Sequence, residues 1–575
     1  MIKLFRFLKQ YTAYIVVVIV LLFAQVLSDL YLPTLMADIV DKGLQNKDVN
    51  YILKIGGFML LIAAAGTVCA IIATYLSSKT AVGFGTILRG KIFAKVESFS
   101  LHEFDKLGTA TLITRTTNDV TQIQQVSVLI FSMMITAPLT CIGGIVMALQ
   151  QDASLAWVLV VTIPILFGVI GVTLMKGLPL FKVMQEKIDK LNLVLRENLT
   201  GIRVVRAFNR IDKEIIRFDD ANSDLMDNAI KINILMAILM PVMMLIMNVT
   251  TVALIWFGAI RIDEGTMQIG SLLAFIQYAM QILFSLLMLV MLFIMVPRAE
   301  VSAVRINEVL ETKLDIIDPE KSKLANSQRG FVEFKNVSFR YPGADQPALS
   351  NISFRANPGE LTAIIGGTGS GKSTLINLMT RFYDVENGSV LVDGVDVREM
   401  SQKTLRGKIG FVPQKTVLFS GSIAENIRYG KEDATMEEIE HAAHVAQATE
   451  FISGIEAGYD HHIAQGGTNV SGGQKQRLSI ARALIRKAEI YIFDDSFSAL
   501  DFKTDAKLRA ALKPEIADAT VFIIAQSVST VRDADRIIVL DDGQICGIGT
   551  HKQLLDTCEV YREIVASQLS KEELA

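Results

Sequence analysis

A glycine-rich stretch in the second half of the chain has the composition and spacing of a phosphate-binding loop. It follows an apolar segment that we predict to be a strand, Leu361–Ile365, and it opens a predicted helix. Glycines let successive backbone N–H groups turn towards phosphate oxygens, and the helix N-terminus adds positive potential. The stretch consists of Gly366, Gly367, Thr368, Gly369, Ser370, Gly371, Lys372, Ser373 and Thr374. The spacing predicts that Lys372 contacts the β- and γ-phosphates of a bound nucleotide and that Ser373 binds Mg²⁺.

A second apolar segment ends in a carboxylate that suits the same chemistry. Ile490–Phe493 is predicted to be a strand, and Asp494 follows it directly. A carboxylate oxygen is a hard ligand of the kind that Mg²⁺ prefers. In a chain with a phosphate-binding loop, this segment therefore indicates a Walker B strand.

The polar sequence between these motifs, Val470–Arg477, reads Val-Ser-Gly-Gly-Gln-Lys-Gln-Arg. With the two nucleotide motifs, it closely resembles the signature of the ATP-binding-cassette (ABC) family, and the resemblance covers nearly the whole chain. In that family two cassettes enclose two ATP molecules head to tail. The resemblance implies that Ser471, Gly472, Gly473 and Gln474 contact the γ-phosphate held by the partner's loop, because a second helix N-terminus points at the same anion.

Three further positions match the family pattern. Tyr341 is similar to the aromatic residue that stacks on adenine, although an aromatic residue before a proline turn is also common in simple packing. Gln414 resembles the glutamine that links Mg²⁺ and the attacking water to the membrane domain. Asp501 matches the loop that couples the two ATP sites.

Two positions depart from the family pattern. The family has Glu directly after the Walker B aspartate, whereas this chain has Asp495, whose carboxylate is drawn back by roughly 1 Å; such a displacement can lower a rate by about 10²-fold. The family's γ-phosphate-sensing His is replaced by Gln526, which cannot supply an imidazolium. Both changes predict slow hydrolysis on this chain's own loop, and they resemble the degenerate-site subunit of heterodimeric bacterial multidrug exporters. The intact signature then implies a second, non-identical half-transporter as partner.

The first half of the chain must position this machinery at a membrane. Of the 575 residues, 51% are hydrophobic and 20% are charged, and the mean hydropathy is +0.41. Six stretches reach the ~20 residues that a helix needs to cross a bilayer. They are Ala13–Pro33, Ile55–Ser77, Val128–Leu149, Ser154–Met175, Ile234–Ile260 and Ser271–Val296. We therefore predict an all-α membrane domain of six helices, followed by an α/β P-loop NTPase.

The distribution of Lys and Arg predicts the orientation. The segments Lys79–Gln125 and Lys176–Lys231 carry six and eleven basic residues, whereas Gln150–Ala153 carries none. This pattern places the N-terminus, both long loops and the C-terminal half in the cytoplasm. Amphipathic patterns in both loops predict that the helices continue beyond the bilayer. The layout favours a bacterial cell membrane.

We predict three regions: a transmembrane domain over 1–297, a polar connector over 298–328 and a nucleotide-binding cassette over 329–575. Strands are predicted at Val332–Phe339, Leu361–Ile365, Ser389–Val392, Ile490–Phe493, Ala519–Ile524 and Arg536–Leu540. Several are continuous apolar runs between helices, which is typical of a buried parallel sheet.

Composition excludes other classes. The net charge of −3 argues against a nucleic-acid binder, which would need a basic face. The four scattered cysteines show neither a disulfide framework nor metal-ligand spacing.

The function that the resemblance implies is ATP-driven efflux of amphipathic compounds, with ATP and Mg²⁺ as cofactors. A lipid or peptide exporter shares every motif, and an ATP-binding subunit that gates a pore is a third possibility. Methionines in the fifth and sixth apolar stretches suit a surface for varied apolar ligands, but also lipid contact or helix packing. They are Met236, Met240, Met243, Met244, Met247, Met280, Met288, Met291 and Met295. Polar side chains at helical spacing accompany them: Gln277, Tyr278, Gln281 and Ser285.

Overall fold

The computed structural model describes residues 1–323 and 329–568, which form two compact units. The first unit comprises Met1–Glu97 and Thr109–Thr312. The second comprises Ser98–Gly108 and the described residues from Lys313 onward. Residues 324–328 of the predicted connector and 569–575 of the predicted cassette lie outside the described residues.

Among the described residues, six helices of the first unit are long and apolar enough to cross a membrane. They are Ile2–Leu44, Val49–Glu97, Thr109–Gln151, Ala156–Ala207, Ile211–Asp263 and Ile269–Glu311. Each contains one of the six predicted stretches, except that Ser154 and Leu155 of the fourth stretch precede the helix, and the prediction of a six-helix domain is confirmed. Every helix is at least twice as long as a bilayer requires, as the amphipathic loops predicted.

The long helices form two groups. The first, second, third and sixth pack on one another, whereas the fourth and fifth pack mainly on each other. Large side chains of the sixth helix fill a core that it shares with the first, third, fourth and fifth helices, and Phe275, Tyr278, Ile282 and Leu283 are fully buried. The sixth helix is therefore the central packing element of this unit.

Pro33 interrupts the hydrogen bonding of the first helix, and the sixth helix compensates for it. Proline has no backbone N–H, so the carbonyl oxygen of Asp29 loses its usual i+4 donor. The Nε2 atom of Gln281 donates to this oxygen at 3.3 Å, and the hydroxyl of Tyr278 donates to the carbonyl oxygen of Leu30 at 2.8 Å. Because hydrocarbon offers no alternative donor, these contacts stabilise the interrupted helix.

The sixth helix continues through the boundary predicted at residue 297. Pro297 lies inside the helix, which ends at Glu311, and the first unit ends at Thr312. The helix persists because Ala299, Ala303 and Ile306 are fully buried after the proline. The predicted connector thus begins about fifteen residues too early, since the change to polar composition marks the edge of the bilayer and not the end of the helix.

The described part of the second unit contains twelve strands. They are β1 Val332–Phe339, β2 Leu349–Ala356, β3 Leu361–Gly366, β4 Asn387–Val392, β5 Val395–Asp396, β6 Ile409–Val412, β7 Gly421–Ser422, β8 His462–Ile463, β9 Ile490–Asp494, β10 Thr520–Ile524, β11 Arg536–Asp541 and β12 Gln544–Gly549. One sheet has the order β12-β11-β3-β10-β9-β6, in which all strands but β12 run parallel. A second, antiparallel sheet has the order β2-β1-β4-β5, and β7 pairs with β8.

Several α-helices of this unit pack against the parallel sheet. The α-helices of its described part are Leu101–Leu107, Lys372–Met379, Gln402–Gly407, Ile423–Arg428, Met436–Val445, Thr449–Ser453, Gly472–Leu484, Phe502–Glu515, Val528–Val531, His551–Thr557 and Glu559–Gln568. Alternate residues of β3 face two separate hydrophobic cores: Ala363 and Ile365 on one side, Ile364 on the other. Burial on both faces explains why β3 is a continuous apolar run.

The predicted strands fall into both sheets. The predicted strands that are continuous apolar runs correspond to β3, β9, β10 and β11, which lie in the parallel sheet as expected. Two other predicted strands became β1 and β4 of the antiparallel sheet. Sequence patterns missed β2, β6 and β12, which are polar on one face, short, or interrupted by glycine.

We expect Gln281→Leu to lower the stability of the membrane domain by about 1 kcal/mol, since the Asp29 carbonyl loses its donor. In a Pro33→Ala background, the backbone amide at position 33 can donate to the Asp29 carbonyl oxygen, so Gln281→Leu should have little effect on stability. Thermal unfolding of the purified protein measures the loss of stability in each background. Gln277→Leu, on an exposed position of the same helix, is the control. Equal losses from Gln281→Leu in both backgrounds would contradict the compensation.

Candidate nucleotide site

Four neighbouring parallel strands bring the predicted site residues to one edge of the sheet. In the order β3, β10, β9, β6, these strands end at Gly366, Ile524, Asp494 and Val412. Ile524 is paired with Ile364 on one side and with Asp494 on the other. The residues that follow these ends are the glycine-rich loop, Gln526, Asp495 and Gln414. Ligands of parallel α/β sheets bind at this carboxyl edge.

Close backbone contacts require glycine at the beginning of the loop. A Cβ on Gly366 would lie 2.1 Å from the carbonyl oxygen of Leu540, which belongs to the neighbouring strand β11. Gly369 and Gly371 have φ values of +85° and +97°, a conformation that favours glycine. The turn delivers the chain into the helix Lys372–Met379.

Lys372 is held across this turn. Its Nζ donates to the carbonyl oxygens of Gly366 and Gly367 at 2.9 and 2.6 Å. Burial lowers the pKa of Lys372, and the negative charges of Asp494 and Asp495 partly oppose this shift. The ammonium group therefore lies above the loop, between the loop and the two carboxylates.

Asp494 ends β9 with only 8% of its surface exposed. Burial, reinforced by the charge of Asp495 and opposed by that of Lys372, raises the pKa of Asp494 to about 6. A buried carboxylate next to another negative charge is an unfavourable arrangement that a bound cation would relieve.

The residues at this edge fit a magnesium ion shared with phosphate. In the described chain, no group of three His, Cys, Asp or Glu residues has the geometry of a metal site. Mg²⁺ commonly takes one or two protein oxygens and completes its shell with water and substrate phosphates. Asp494, the Ser373 hydroxyl and the Gln414 amide oxygen offer a hard-oxygen set of that kind.

Asp495 contacts Gln414 and shares a groove with Gln526. Asp495 has a left-handed backbone, with φ +47°, and its amide donates to the carbonyl oxygen of Ile524 at 2.9 Å. The Nε2 atom of Gln414 lies 3.4 Å from a carboxylate oxygen of Asp495. Asp495 and Gln526 line the same groove. The two positions that depart from the family pattern thus face one space.

Tyr341 belongs to an aromatic cluster next to the loop. Its ring meets those of Phe339 and Tyr383 edge to face, with centroids 4.9 and 5.2 Å apart. Its hydroxyl lies 3.0 Å from the Thr374 hydroxyl, on the helix that follows the loop. Packing therefore holds Tyr341 beside the glycine-rich loop.

The signature residues form a helix cap. Ser471 and Gln474 make a reciprocal capping box: the Ser471 amide donates to the Gln474 side chain at 2.8 Å, and the Gln474 amide donates to the Ser471 hydroxyl at 3.3 Å. A Cβ on Gly473 would lie 3.1 Å from the carbonyl oxygen of Ala499. The start of the helix Gly472–Leu484 therefore packs against the segment that precedes Asp501.

Asp501 caps the helix Phe502–Glu515. Its side chain accepts a hydrogen bond from the Thr504 amide at 3.0 Å, and hydrogen bonding by the Thr504 side chain and then by this amide lowers the pKa of Asp501. The carboxylate is exposed, as a coupling residue at a cassette surface would have to be.

Some of the polar and methionine side chains predicted to line a substrate surface are buried in the structure, and others are exposed. Tyr278 and Ser285 are buried, and the Ser285 hydroxyl donates to the carbonyl oxygen of Ile282. With Gln281 bonded to the first helix, three of the four polar side chains have structural partners, and Gln277 is exposed. Among the methionines, Met243 is buried whereas Met240, Met244 and Met291 are exposed.

Glu103, in the short helix Leu101–Leu107, has a capping role that was not predicted from the sequence. Its carboxylate accepts hydrogen bonds from the Ser100 amide at 2.7 Å and the Asp315 amide at 2.5 Å, and from the Ser100 hydroxyl. Burial opposes ionisation, but these bonds outweigh it and lower the pKa of Glu103. The Ser-x-x-Glu spacing is a capping-box signal that sequence inspection could have found.

Tyr383 was also missed. It contacts Tyr341, and burial together with the charge of Asp105 raises the pKa of Tyr383 to about 12. No local pattern marks this tyrosine, because its neighbours come from distant parts of the chain.

The fold and this edge define the class: a membrane domain of six helices fused to a P-loop ATP-binding cassette. Residues 15–287 match the ABC transporter transmembrane region, and residues 349–498 match the ABC transporter family. The chain belongs to the ABC transporter family and is a half-transporter of the exporter type, an ATPase coupled to transport.

Known proteins resemble the chain over almost its full length. An uncharacterized ABC transporter ATP-binding protein of Mycobacterium tuberculosis is 45% identical over 98% of this chain and 97% of its own length. An ATP-dependent lipid A-core flippase of Chromobacterium violaceum is 31% identical over 93% and 92%. A fatty acid ABC transporter ATP-binding/permease protein of Mycobacterium bovis is 34% identical over 83% and 75%.

Among solved structures, a bacterial Atm1-family ABC exporter with ATP bound aligns with a TM-score of 0.82. It is 25% identical, and the alignment covers 97% of this chain and 98% of the exporter chain. The predicted fold class, six apolar helices followed by a cassette, is therefore confirmed, as is a multi-pass membrane location with a cytoplasmic cassette.

We expect Gly366→Ala to lower the free energy of unfolding by about 3 kcal/mol, because the new Cβ meets a backbone carbonyl that cannot move freely. Gly367→Ala is the matched control, since a Cβ there would meet open space. Thermal unfolding without nucleotide measures both effects. Similar stability of the two variants would contradict the assigned packing behind the loop.

Mg²⁺-dependent ATP binding should weaken as the pH falls from 7 to 5. The raised pKa favours the protonated form of Asp494 below pH 6, and at pH 5 only about a tenth of the carboxyl groups are ionised without metal. Titrating Mg²⁺ at fixed ATP and several pH values measures the effect. The Asp494→Asn variant is the control, because any pH dependence that it retains comes from the titration of ATP itself. If wild type and this variant showed the same pH dependence of Mg²⁺-dependent ATP binding, the assignment of Asp494 as a metal ligand would be wrong.

Proposed function

We propose that this chain is one half of a heterodimeric exporter of amphipathic compounds in a bacterial cell membrane. ATP bound on its own glycine-rich loop is hydrolysed slowly, and its signature completes the competent site of a non-identical partner. Tyr341 stacks on adenine and Lys372 contacts the phosphates. Ser373, Gln414 and Asp494 would hold Mg²⁺, which would supply charge neutralisation for the bound triphosphate.

The observation that carries the proposal is the fixed backbone at Asp495. Its amide is bonded to the Ile524 carbonyl, and its own carbonyl accepts from the Ser498 hydroxyl at 2.9 Å. The backbone is therefore not free to advance and offset the shorter side chain. Gln526, across the same groove, adds a neutral amide where the family has an imidazole.

A dimeric assembly is supported by the turn between the fourth and fifth long helices. Leu199, Phe208 and Ile216 lie near this turn with 71%, 73% and 62% of their surfaces exposed. Large apolar side chains beyond the bilayer require a covering partner. A partner that differs from this chain accounts for the retained signature, Ser471–Gln474, beside an altered hydrolytic pair.

A lipid cargo is the second candidate. Two relatives carry names that specify transport of fatty acid and of lipid A-core. Both names denote amphipathic molecules, which supports the broader cargo class. Drugs and lipids share an apolar body with a polar end, so adaptable methionine side chains suit either.

Tagging only this chain in its native membrane and weighing the intact complex tests the partner. We expect a one-to-one complex with a distinct half-transporter. Asp495→Asn should then change transport less than about twofold, whereas removal of the partner's Walker B glutamate should lower it by about 10²-fold or more. A homodimer, or loss of transport in Asp495→Asn, would overturn the asymmetric mechanism.

A further inference from the structure

The side-chain amide of Gln568 joins the last helix to the loop that carries Gln526. Its Nε2 donates to the carbonyl oxygen of Gln526 at 2.8 Å, and its Oε1 accepts from the amide of Val528 at 2.8 Å. The two backbone groups lie on either side of Ser527. The side-chain amide of Gln568 therefore holds the backbone of this loop at two points, because its NH₂ group is paired with an acceptor and its oxygen with a donor.

The helix that carries Gln568 is itself firmly placed. Tyr561 and Val565 of the helix Glu559–Gln568 are fully buried. The Tyr561 hydroxyl lies 2.7 Å from the Nδ1 atom of His551. The position of Gln568 is thus determined by the core beneath the helix, and the bonded loop is held relative to that core.

The other end of the loop is tied to the hydrolytic residue. The Ile524 carbonyl accepts from the Asp495 amide at 2.9 Å, and Val528 is buried. Between these two fixed points only a few residues, among them the exposed Gln526, lie in the groove. The Gln568 contacts therefore act on the one stretch of this loop that the sheet does not already hold.

We propose that Gln568 is a positioning residue, which sets the location of Gln526 opposite the γ-phosphate and so controls how tightly this site retains ATP. The inference rests on the proposed role of Gln526 beside the nucleotide. A carboxylate at position 568 would still accept from Val528 but would repel the Gln526 carbonyl oxygen. An alanine would make neither bond.

The test uses the full transporter with the partner's P-loop lysine changed to alanine, so that ATP binds only on this chain. Gln568→Ala should weaken Mg-ATP binding by about tenfold, the equivalent of one to two hydrogen bonds. Gln568→Glu, which keeps the Val528 bond but repels the Gln526 carbonyl oxygen, should weaken binding at least as much as Gln568→Ala. Ser567→Ala, in the same helix without a contact to the loop, is the matched control and should bind ATP like wild type.

A double-mutant cycle separates positioning from general stability. If Gln568 acts through Gln526, then Gln568→Ala should not weaken ATP binding further in a Gln526→Ala background, although both changes should still lower the unfolding temperature. Additive losses of affinity would overturn the proposal. If Gln526→Ala alone leaves the affinity for ATP unchanged, Gln526 does not have its proposed role. If Gln526→Ala weakens ATP binding but Gln568→Ala does not, only the positioning role of Gln568 is overturned.

Discussion

The parallel pairing of β3, β10, β9 and β6 is the constraint on which the nucleotide site depends. The four strands point the same way, so their carboxyl ends meet at one edge although they come from distant parts of the sequence. The register that pairs Ile524 with Ile364 and with Asp494 sets which residues emerge at that edge. A slip of one residue would turn every side chain to the opposite face. Sheet pairing thus brings the glycine-rich loop, Asp494, Asp495 and Gln526 to one edge.

Electrostatics explains why this edge is suited to a nucleotide with its metal rather than to either alone. Asp494 and Asp495 repel one another in a half-buried setting, and Lys372 compensates for only part of their charge. A divalent cation favours both carboxylates, and the triphosphate it accompanies favours the lysine. The cation and the triphosphate therefore favour this edge more together than either does alone. The one-methylene difference between Asp495 and a glutamate shortens the reach of this carboxylate without changing its charge.

Features that depend on a short segment of the chain could be predicted from the sequence, whereas features that depend on contacts with distant segments could not. The glycine-rich loop, Asp494 and the signature could be predicted because each depends on a short segment with its own turn and helix start. The six apolar stretches were equally plain, because lipid imposes a composition on every residue that it touches. The antiparallel sheet and the end of the sixth helix were not predicted correctly. Their residues are half polar, and only contacts with distant segments decide their structure.

The same distinction applies to single side chains. Tyr278 and Gln281 have the spacing of ligand-binding residues, yet they serve the backbone around Pro33, which is far away in the sequence. Gln568 carries no local signal, since its two partners belong to another loop. Glu103 lies between these cases: its cap could be recognised from spacing, but its bond to Asp315 could not.

The contacts around Pro33 also have a consequence for how the protein is made. The first helix enters the membrane about 250 residues before Gln281 and Tyr278 are synthesised. At usual rates of translation this interval is roughly 12 to 50 s. During that time the Asp29 carbonyl has no donor from its own helix, in a medium where an unpaired polar group costs several kcal/mol. The first helix therefore reaches its final state only after the sixth has been inserted, and assembly of the membrane domain is completed by its last helix.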